Sequence, residues 1–136
     1  SKIVKFIDGW CWNKNLKEII SIPNHLKELS FWENNIKILP KLPNSLEILW
    51  GDDNQLIILP EVLPKNLKKL HLTNNKLTSL PKNLPQSLEE LSCEKNSIKQ
   101  LPNLRELKRL KFIICDIQCF EPYMLEMENI DFDFHC

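Results

Sequence analysis

The residues most able to do chemistry in this chain are three histidines and five cysteines. The best candidate for a metal site is the pair Cys115 and Cys119, with His135 and Cys136 near the C-terminus. Structural zinc sites combine a closely spaced cysteine pair with a second pair at a characteristic spacing. The adjacent residues His135 and Cys136 do not supply that second pair. We therefore expect no metal and no cofactor.

Arrangements typical of catalysis are also missing from the sequence. His25 and His71 have no serine or cysteine at a catalytic motif spacing. With only Gly9 and Gly51, no glycine-rich phosphate loop can be assembled. The acidic residues are dispersed, which gives no support for a paired-carboxylate site. We expect that the protein is not an enzyme, and the alternative left open is a reactive thiol at Cys11, Cys119 or Cys136.

Composition narrows the possible partners. The chain has 136 residues, which suits one domain, and it carries 18 basic and 18 acidic residues for a formal net charge of zero. A neutral chain lacks the basic face that nucleic acid or an anionic membrane would require. A membrane-spanning helix needs about 20 apolar residues, and the apolar runs here are much shorter. An odd number of cysteines without a signal-type apolar segment favours free thiols in a reducing, intracellular compartment such as the cytoplasm.

Leucines and prolines recur at a constant interval. The unit reads L-x-x-L-x-(apolar)-x-x-N-x-(L/I)-x-x-L-P, and its proline falls at Pro40, Pro60, Pro81 and Pro102, at intervals of 20 or 21 residues. Such a period indicates a repeat architecture built from one small unit per turn. The first leucine of each unit is found at Leu26, Leu46, Leu67, Leu88 and Leu107.

This pattern resembles the leucine-rich repeat, and its LPxLP ending resembles the short repeats of the bacterial effector families YopM and IpaH. The resemblance is close over 26–106 and loose over 107–132. It implies a right-handed, mainly β solenoid with a parallel concave sheet of about seven strands. Because proline fixes φ and excludes helix interiors, we expect extended, polyproline-like convex segments and little or no helix. We divide the single domain 1–136 into a degenerate N-terminal repeat or cap at 1–25, repeats at 26–45, 46–66, 67–87, 88–106 and 107–126, and a terminal strand at 127–136.

One polar position recurs inside the unit, eight residues after its first leucine. We expect an inward asparagine there to hydrogen-bond the backbone of the turn that leaves each strand, since buried amides need such partners. The position holds Asn34, Asn54, Asn75, Asn96 and, in the last unit, Cys115.

The repeat frame also predicts which side chains leave the sheet on its concave face. Trp32, Trp50 and Ile48 then lie together on neighbouring strands, and exposed tryptophans are typical of binding hot spots. Two alternatives remain: the frame slips and the tryptophans are core residues, or they are exposed without a role. We expect partner-protein binding at these three residues with their polar neighbours Asp52, His71 and Thr73.

Further expectations concern two other surfaces of the predicted solenoid: the flank that follows the asparagine turn and the edge of the sheet near the C-terminus. Ile38, Ile57 and Ile58 lie on the flank that follows the asparagine turn; we expect this flank to be packed, and the alternative is a small apolar surface patch. Near the C-terminus, Ile130, Phe132 and Phe134 would leave an apolar open edge, which is a pairing hazard. This edge motivates a second hypothesis, a self-assembling structural protein that dimerises there. The family resemblance implies a third, an effector-like binder acting in host cytoplasm without a catalytic domain.

Overall fold

The computed structural model describes residues 2–5, 11 and 15–135, and its main feature is a sheet of six short parallel strands in chain order. A separate two-stranded parallel sheet joins β1 (Lys2–Lys5) to β2 (Leu16–Ser21). Two short 3₁₀ helices lie before the last strand, at Ile117–Cys119 and Pro122–Glu126. The main sheet consists of β3 (Glu28–Ser30), β4 (Ile48–Trp50), β5 (Lys69–His71), β6 (Glu90–Ser92), β7 (Phe112–Asp116) and β8 (Asp131–His135).

Each of the three-residue strands β3 to β6 places its central residue in the core because neighbouring side chains of a strand point to opposite faces. Leu29, Leu49, Leu70, Leu91 and Ile113 are aligned across the sheet, and each has no exposed surface. Burying a leucine side chain contributes about 1.5–3 kcal/mol. The stacked leucines therefore supply much of the stability that each coil gains from its neighbours.

The segments behind the sheet contain no α-helix among the described residues. Their leucines complete the core, as with Leu39 and Leu42 in one coil and Leu59 and Leu63 in the next. Each segment ends in a tight turn. In one such turn the amide of Leu46 donates to the carbonyl of Pro43, 3.1 Å away. The fold class is thus the expected one, a solenoid of about five turns with a parallel sheet and almost no helix.

The repeat boundaries at the ends of the solenoid differ from those predicted from the sequence. Because Leu91 pairs with Ile113, the last strand-bearing unit before β8 begins at Leu110, three residues later than the repeat boundary drawn at 107. Within the described residues the main sheet has six strands, where about seven were expected. Residues 6–10 and 12–14, which belong to the segment expected to form the N-terminal repeat or cap, lie outside the described part of the chain, as does Cys136. Among the helices that are described, none is long and apolar enough to cross a membrane.

Candidate binding site on the sheet face

Four asparagines at equivalent positions of successive coils hold the turns that follow the strands. We call this set, Asn34, Asn54, Asn75 and Asn96, the asparagine ladder. The Oδ1 atom of Asn54 accepts from the amide of Ile36 at 3.1 Å, and its Nδ2 donates to the carbonyls of Phe31, Gly51 and Asp52. Each asparagine thereby joins its own coil to the previous one. Asn34, Asn75 and Asn96 form the corresponding bonds in their own coils, with Oδ1 accepting from Leu16, Leu56 and Leu77.

The residue before each of these asparagines has a positive φ. Glu33, Asp53, Asn74 and Lys95 have φ between 56° and 57°, a conformation that side chains other than glycine and asparagine rarely adopt. The ladder holds the turn in this shape because the buried amide satisfies backbone groups that the bend leaves without strand partners. The outward side chains that follow each strand therefore keep a constant direction from coil to coil.

Cys115 does not lie in the asparagine slot. The register pairs it with Phe134 of β8, and it is fully buried at the inward apolar position that Cys93 occupies in the coil before. The asparagine position is taken by Gln118, whose Nε2 donates to the carbonyl of Ile98 at 3.3 Å. The expectation failed because the last unit begins at Leu110, and the leucine at 107 misplaced the frame by three residues.

Trp50 is held in one orientation on the concave face. Its Nε1 donates to Oε1 of Glu28 at 2.7 Å, and its ring centroid lies 4.4 Å from that of His71 on β5. The Nε2 of His71 lies 3.1 Å from Oε2 of Glu90 on β6. Four neighbouring strands are thus linked by side chains. Trp50 is half-buried on the outward side, which agrees with the sequence frame rather than with a core position.

Asp52 lies beside this chain of contacts, two residues after the end of β4. Its Oδ1 accepts from the amide of Thr73 at 2.7 Å. Burial raises the pKa of the Asp52 carboxyl, and the Thr73 hydrogen bond opposes the shift only in part. The side-chain hydroxyl of Thr73 does not bind Asp52; it donates to Oε1 of Glu94 at 3.0 Å. An anionic Asp52 is therefore maintained at an energetic cost.

A recess of about 330 Å³ opens between β3 and β4 on this face. Its floor includes the hydroxyl of Ser30, which is fully buried and has no hydrogen-bond partner within the described part of the chain. The equivalent serine of β6, Ser92, donates to Glu94 at 3.0 Å and lies 2.8 Å from the hydroxyl of Thr73. The residues lining the recess are Glu28, Ser30, Trp32, Trp50 and Asp52.

The structure therefore brings together three of the six residues expected in a partner site, namely Trp32, Trp50 and Asp52. His71 supports Trp50 from the neighbouring strand, while Ile48 and Thr73 lie on the same face outside the recess. Two lining residues, Glu28 and Ser30, were not among those expected. The strand register places them next to expected residues, because Glu28 pairs with Ile48 and Ser30 pairs with Trp50. The signal that could have identified them was therefore their position in the repeat.

The flank has a different character from the one expected. The expectation of a packed flank is wrong, since Ile38, Ile57 and Ile58 are each at least half exposed. Ile20 of the preceding coil is exposed as well, and these side chains are apolar surface residues, as in the alternative. Their positions follow inward residues such as Ile36 and Leu56, which take up the available core space. The sequence pattern alone could not show that the space was already filled.

The aromatic residues of the C-terminal edge face the core. Phe132 and Phe134 are half-buried and stack at 5.5 Å between centroids, and Phe120 meets Phe134 edge-on at 5.4 Å. Ile130 also packs against the core. The strand that carries the two phenylalanines, β8, pairs with β7 on one side and is the last strand of the main sheet.

The cysteine thiols are suited to packing rather than to reaction. Burial raises the pKa of the Cys93 thiol well above its usual range and that of Cys115 to about 12, and it raises the pKa of Cys119 as well. The Cys119 thiol contacts the carbonyl of Ile98 at 3.3 Å. Residues 15–135 and the few described before them contain no group of three or more side chains placed to hold a metal ion.

Comparison with known proteins gives one informative result. No protein-family model matches the chain, and no curated protein matches it. Among solved structures, a leucine-rich-repeat protein of Leptospira interrogans is similar with a TM-score of 0.56 and 23% sequence identity. The match covers 88% of this chain and 42% of that protein, so the chain spans less than half of its neighbour's length. The fold of this chain is therefore the leucine-rich-repeat solenoid.

Proposed function

We propose that this protein is a recognition module that binds a partner protein on the concave face, with Trp32 and Trp50 as anchors. Leucine-rich-repeat folds generally serve protein–protein interaction and are typically non-catalytic. The observation that carries the proposal is the recess between β3 and β4, where two tryptophans and two carboxylates meet around a buried hydroxyl. Binding energy at protein interfaces usually concentrates at a few residues, among which tryptophan is enriched.

The supporting geometry is rigid. Trp50 is fixed by Glu28 and His71, so little conformational entropy remains to be lost when a partner covers it. The asparagine ladder fixes the backbone that carries Trp32 and Asp52. A rigid, partly exposed aromatic surface of this kind supports recognition.

The test is capture of a partner from cell lysate by the wild-type protein and two double variants. Trp32→Ala/Trp50→Ala removes the anchors, while Val62→Ala/Leu125→Ala removes apolar side chains that are 84% and 78% exposed elsewhere. Circular dichroism establishes that all three are folded. We expect a partner that the wild type and the second variant retain and the first variant loses. Equal recovery by all three would reject the concave site.

Self-association through β8 is the second candidate. Among the described residues β8 pairs with β7 alone, and a strand edge without a neighbour is a template for pairing with another chain. Light scattering over a wide concentration range measures it. A mass of 16.1 kDa at every concentration excludes a homodimer, whereas a rise toward twice that value supports one.

The finer proposals concern the cellular setting. The LPxLP endings support repeats of the bacterial effector type, and an effector-like binder that acts in a host cytoplasm is the corresponding proposal. Buried cysteines that remain free are consistent with a reducing compartment. Tagged protein delivered from the producing cell into a co-cultured host cell would support the effector proposal. Retention in the producing cell would count against it.

A further inference from the structure

We infer that the recess between β3 and β4 receives an arginine side chain of the partner protein, stacked on tryptophan and neutralised by Asp52. This inference rests on the proposed function, since it names the chemistry of the residue that the concave face recognises. Three observations carry it: among the described residues no lysine or arginine pairs with the two carboxylates, the indole rings are placed beside them, and no described group hydrogen-bonds the Ser30 hydroxyl.

In the part of the chain that the structure describes, no lysine or arginine balances the negative charge around the recess. Elsewhere on the sheet, Glu47, Glu89 and Glu90 each form an ion pair with a lysine. Within residues 15–135, neither Glu28 nor Asp52 forms an ion pair with a lysine or an arginine. The recess therefore presents negative charge that a cation from outside can balance, and the partial burial of Asp52 makes that interaction stronger than one in bulk water.

The tryptophans give the cation a face to stack on. Guanidinium groups bind over indole rings more often than ammonium groups do, because they are planar and more weakly hydrated. His71 covers Trp50 from the β5 side, and the recess lies toward β3, on the side of Ser30 and Trp32. A planar group that enters from solvent therefore meets an indole surface that is already held in place.

Ser30 supplies the third element of the site. A fully buried hydroxyl without a partner costs free energy, whereas the equivalent Ser92 is satisfied by Thr73 and Glu94. The guanidinium group has five N–H donors. It can donate to the Ser30 oxygen while other N–H groups reach the Asp52 carboxylate, which an ammonium point charge does less well.

The probe is acetyl-Gly-Arg-Gly-amide, and its control is the same peptide with citrulline, which keeps the shape and lacks the charge. Binding is followed by NMR through the indole N–H resonances of the tryptophans. We expect the arginine peptide to bind with a dissociation constant in about the millimolar range and the citrulline peptide roughly tenfold more weakly. Equal binding of the two peptides would overturn the inference.

Matched variants locate the site. Asp52→Asn and Asp53→Asn remove the same charge one residue apart, and only Asp52 lines the recess. We expect Asp52→Asn to weaken arginine binding about fivefold or more and Asp53→Asn to leave it within about twofold. An equal loss in both variants would show general electrostatic attraction and refute the site. Ser30→Ala is expected to weaken binding by a smaller factor, and unchanged binding would remove Ser30 from it.

The two levels of the proposal fail separately. If the tryptophan double variant loses its captured partner while neither peptide binds, the concave face remains a partner site and the arginine inference is wrong. If the arginine peptide binds as expected while capture is unaffected by the tryptophan substitutions, the recess binds a cation that is not the anchor of the captured partner.

Discussion

Replacing Asn54 by alanine tests whether the asparagine ladder holds the coils together. Asn54 is 3% exposed and makes four hydrogen bonds, one as acceptor from the amide of Ile36 and three as donor to carbonyls. Without it, the Ile36 amide is buried with no acceptor, which costs about 1–3 kcal/mol.

The three carbonyls lose less because each keeps another donor. The Phe31 carbonyl retains Nδ2 of Asn34, the Gly51 carbonyl retains Nδ2 of Asn75, and the Asp52 carbonyl retains the Glu33 amide. Their joint contribution is about 1 kcal/mol. The expected total is a loss of about 3 kcal/mol in the free energy of unfolding, which lowers the melting temperature by about 10 °C for a chain of this length.

Urea unfolding followed by far-ultraviolet circular dichroism measures the loss. The control is Asn83→Ala, an exposed asparagine of a convex segment, which should change stability by less than about 0.5 kcal/mol. If Asn54→Ala is as stable as Asn83→Ala, the ladder does not stabilise the solenoid, and the physical reason given for the recurring asparagine is wrong.

Three further predictions follow from the same structure. Gly51→Ala should destabilise the protein by about 1–3 kcal/mol, because a Cβ at this position would lie 2.9 Å from Cζ of Phe31. Urea unfolding measures the change, and a variant as stable as the wild type would contradict this close packing. The thiols of Cys93, Cys115 and Cys119 should react slowly with a disulfide reagent in the native protein and rapidly in denaturant, since burial raises their pKa values; fast native labelling of any of the three, identified by mass spectrometry, would refute their burial. Asp52→Asn should stabilise the protein at pH 7, because burial raises the pKa of Asp52 and so destabilises its ionised form in the folded state. The gain should shrink as the pH falls through the raised pKa and vanish below the ordinary value of 3.8, and a difference independent of pH in the unfolding free energies would contradict the argument.

The fold was largely predictable because one period governs every coil. Leucines at constant intervals determine the inward face, and the alternation within each strand then determines the outward face that includes Trp50 and His71. The prediction of inward and outward positions was wrong in the last repeat, where the spacing between equivalent residues changes. Strand centres are 22 residues apart between Leu91 and Ile113, and the additional residues moved Cys115 from the asparagine slot into the core.

The recess itself was only half predictable. Trp32, Trp50 and Asp52 stand out by residue type, whereas Glu28 and Ser30 become significant only through what they contact or fail to contact. Whether a serine hydroxyl has a partner depends on the neighbouring side chain: Ser92 has Glu94 two residues on, and Ser30 has Trp32 at that place. Sequence alone gives the two positions but not the state of the hydroxyl.

The most direct test of partner recognition is the affinity of the captured partner for the three forms of the protein. Surface-bound partner is titrated with wild type, with Trp32→Ala/Trp50→Ala and with Val62→Ala/Leu125→Ala. If the tryptophans are the anchors, the first variant should lose at least about a hundredfold in affinity, and the second should stay within about threefold. A tryptophan variant that is folded and binds as tightly as the wild type would contradict the assignment of the concave recess as the partner site.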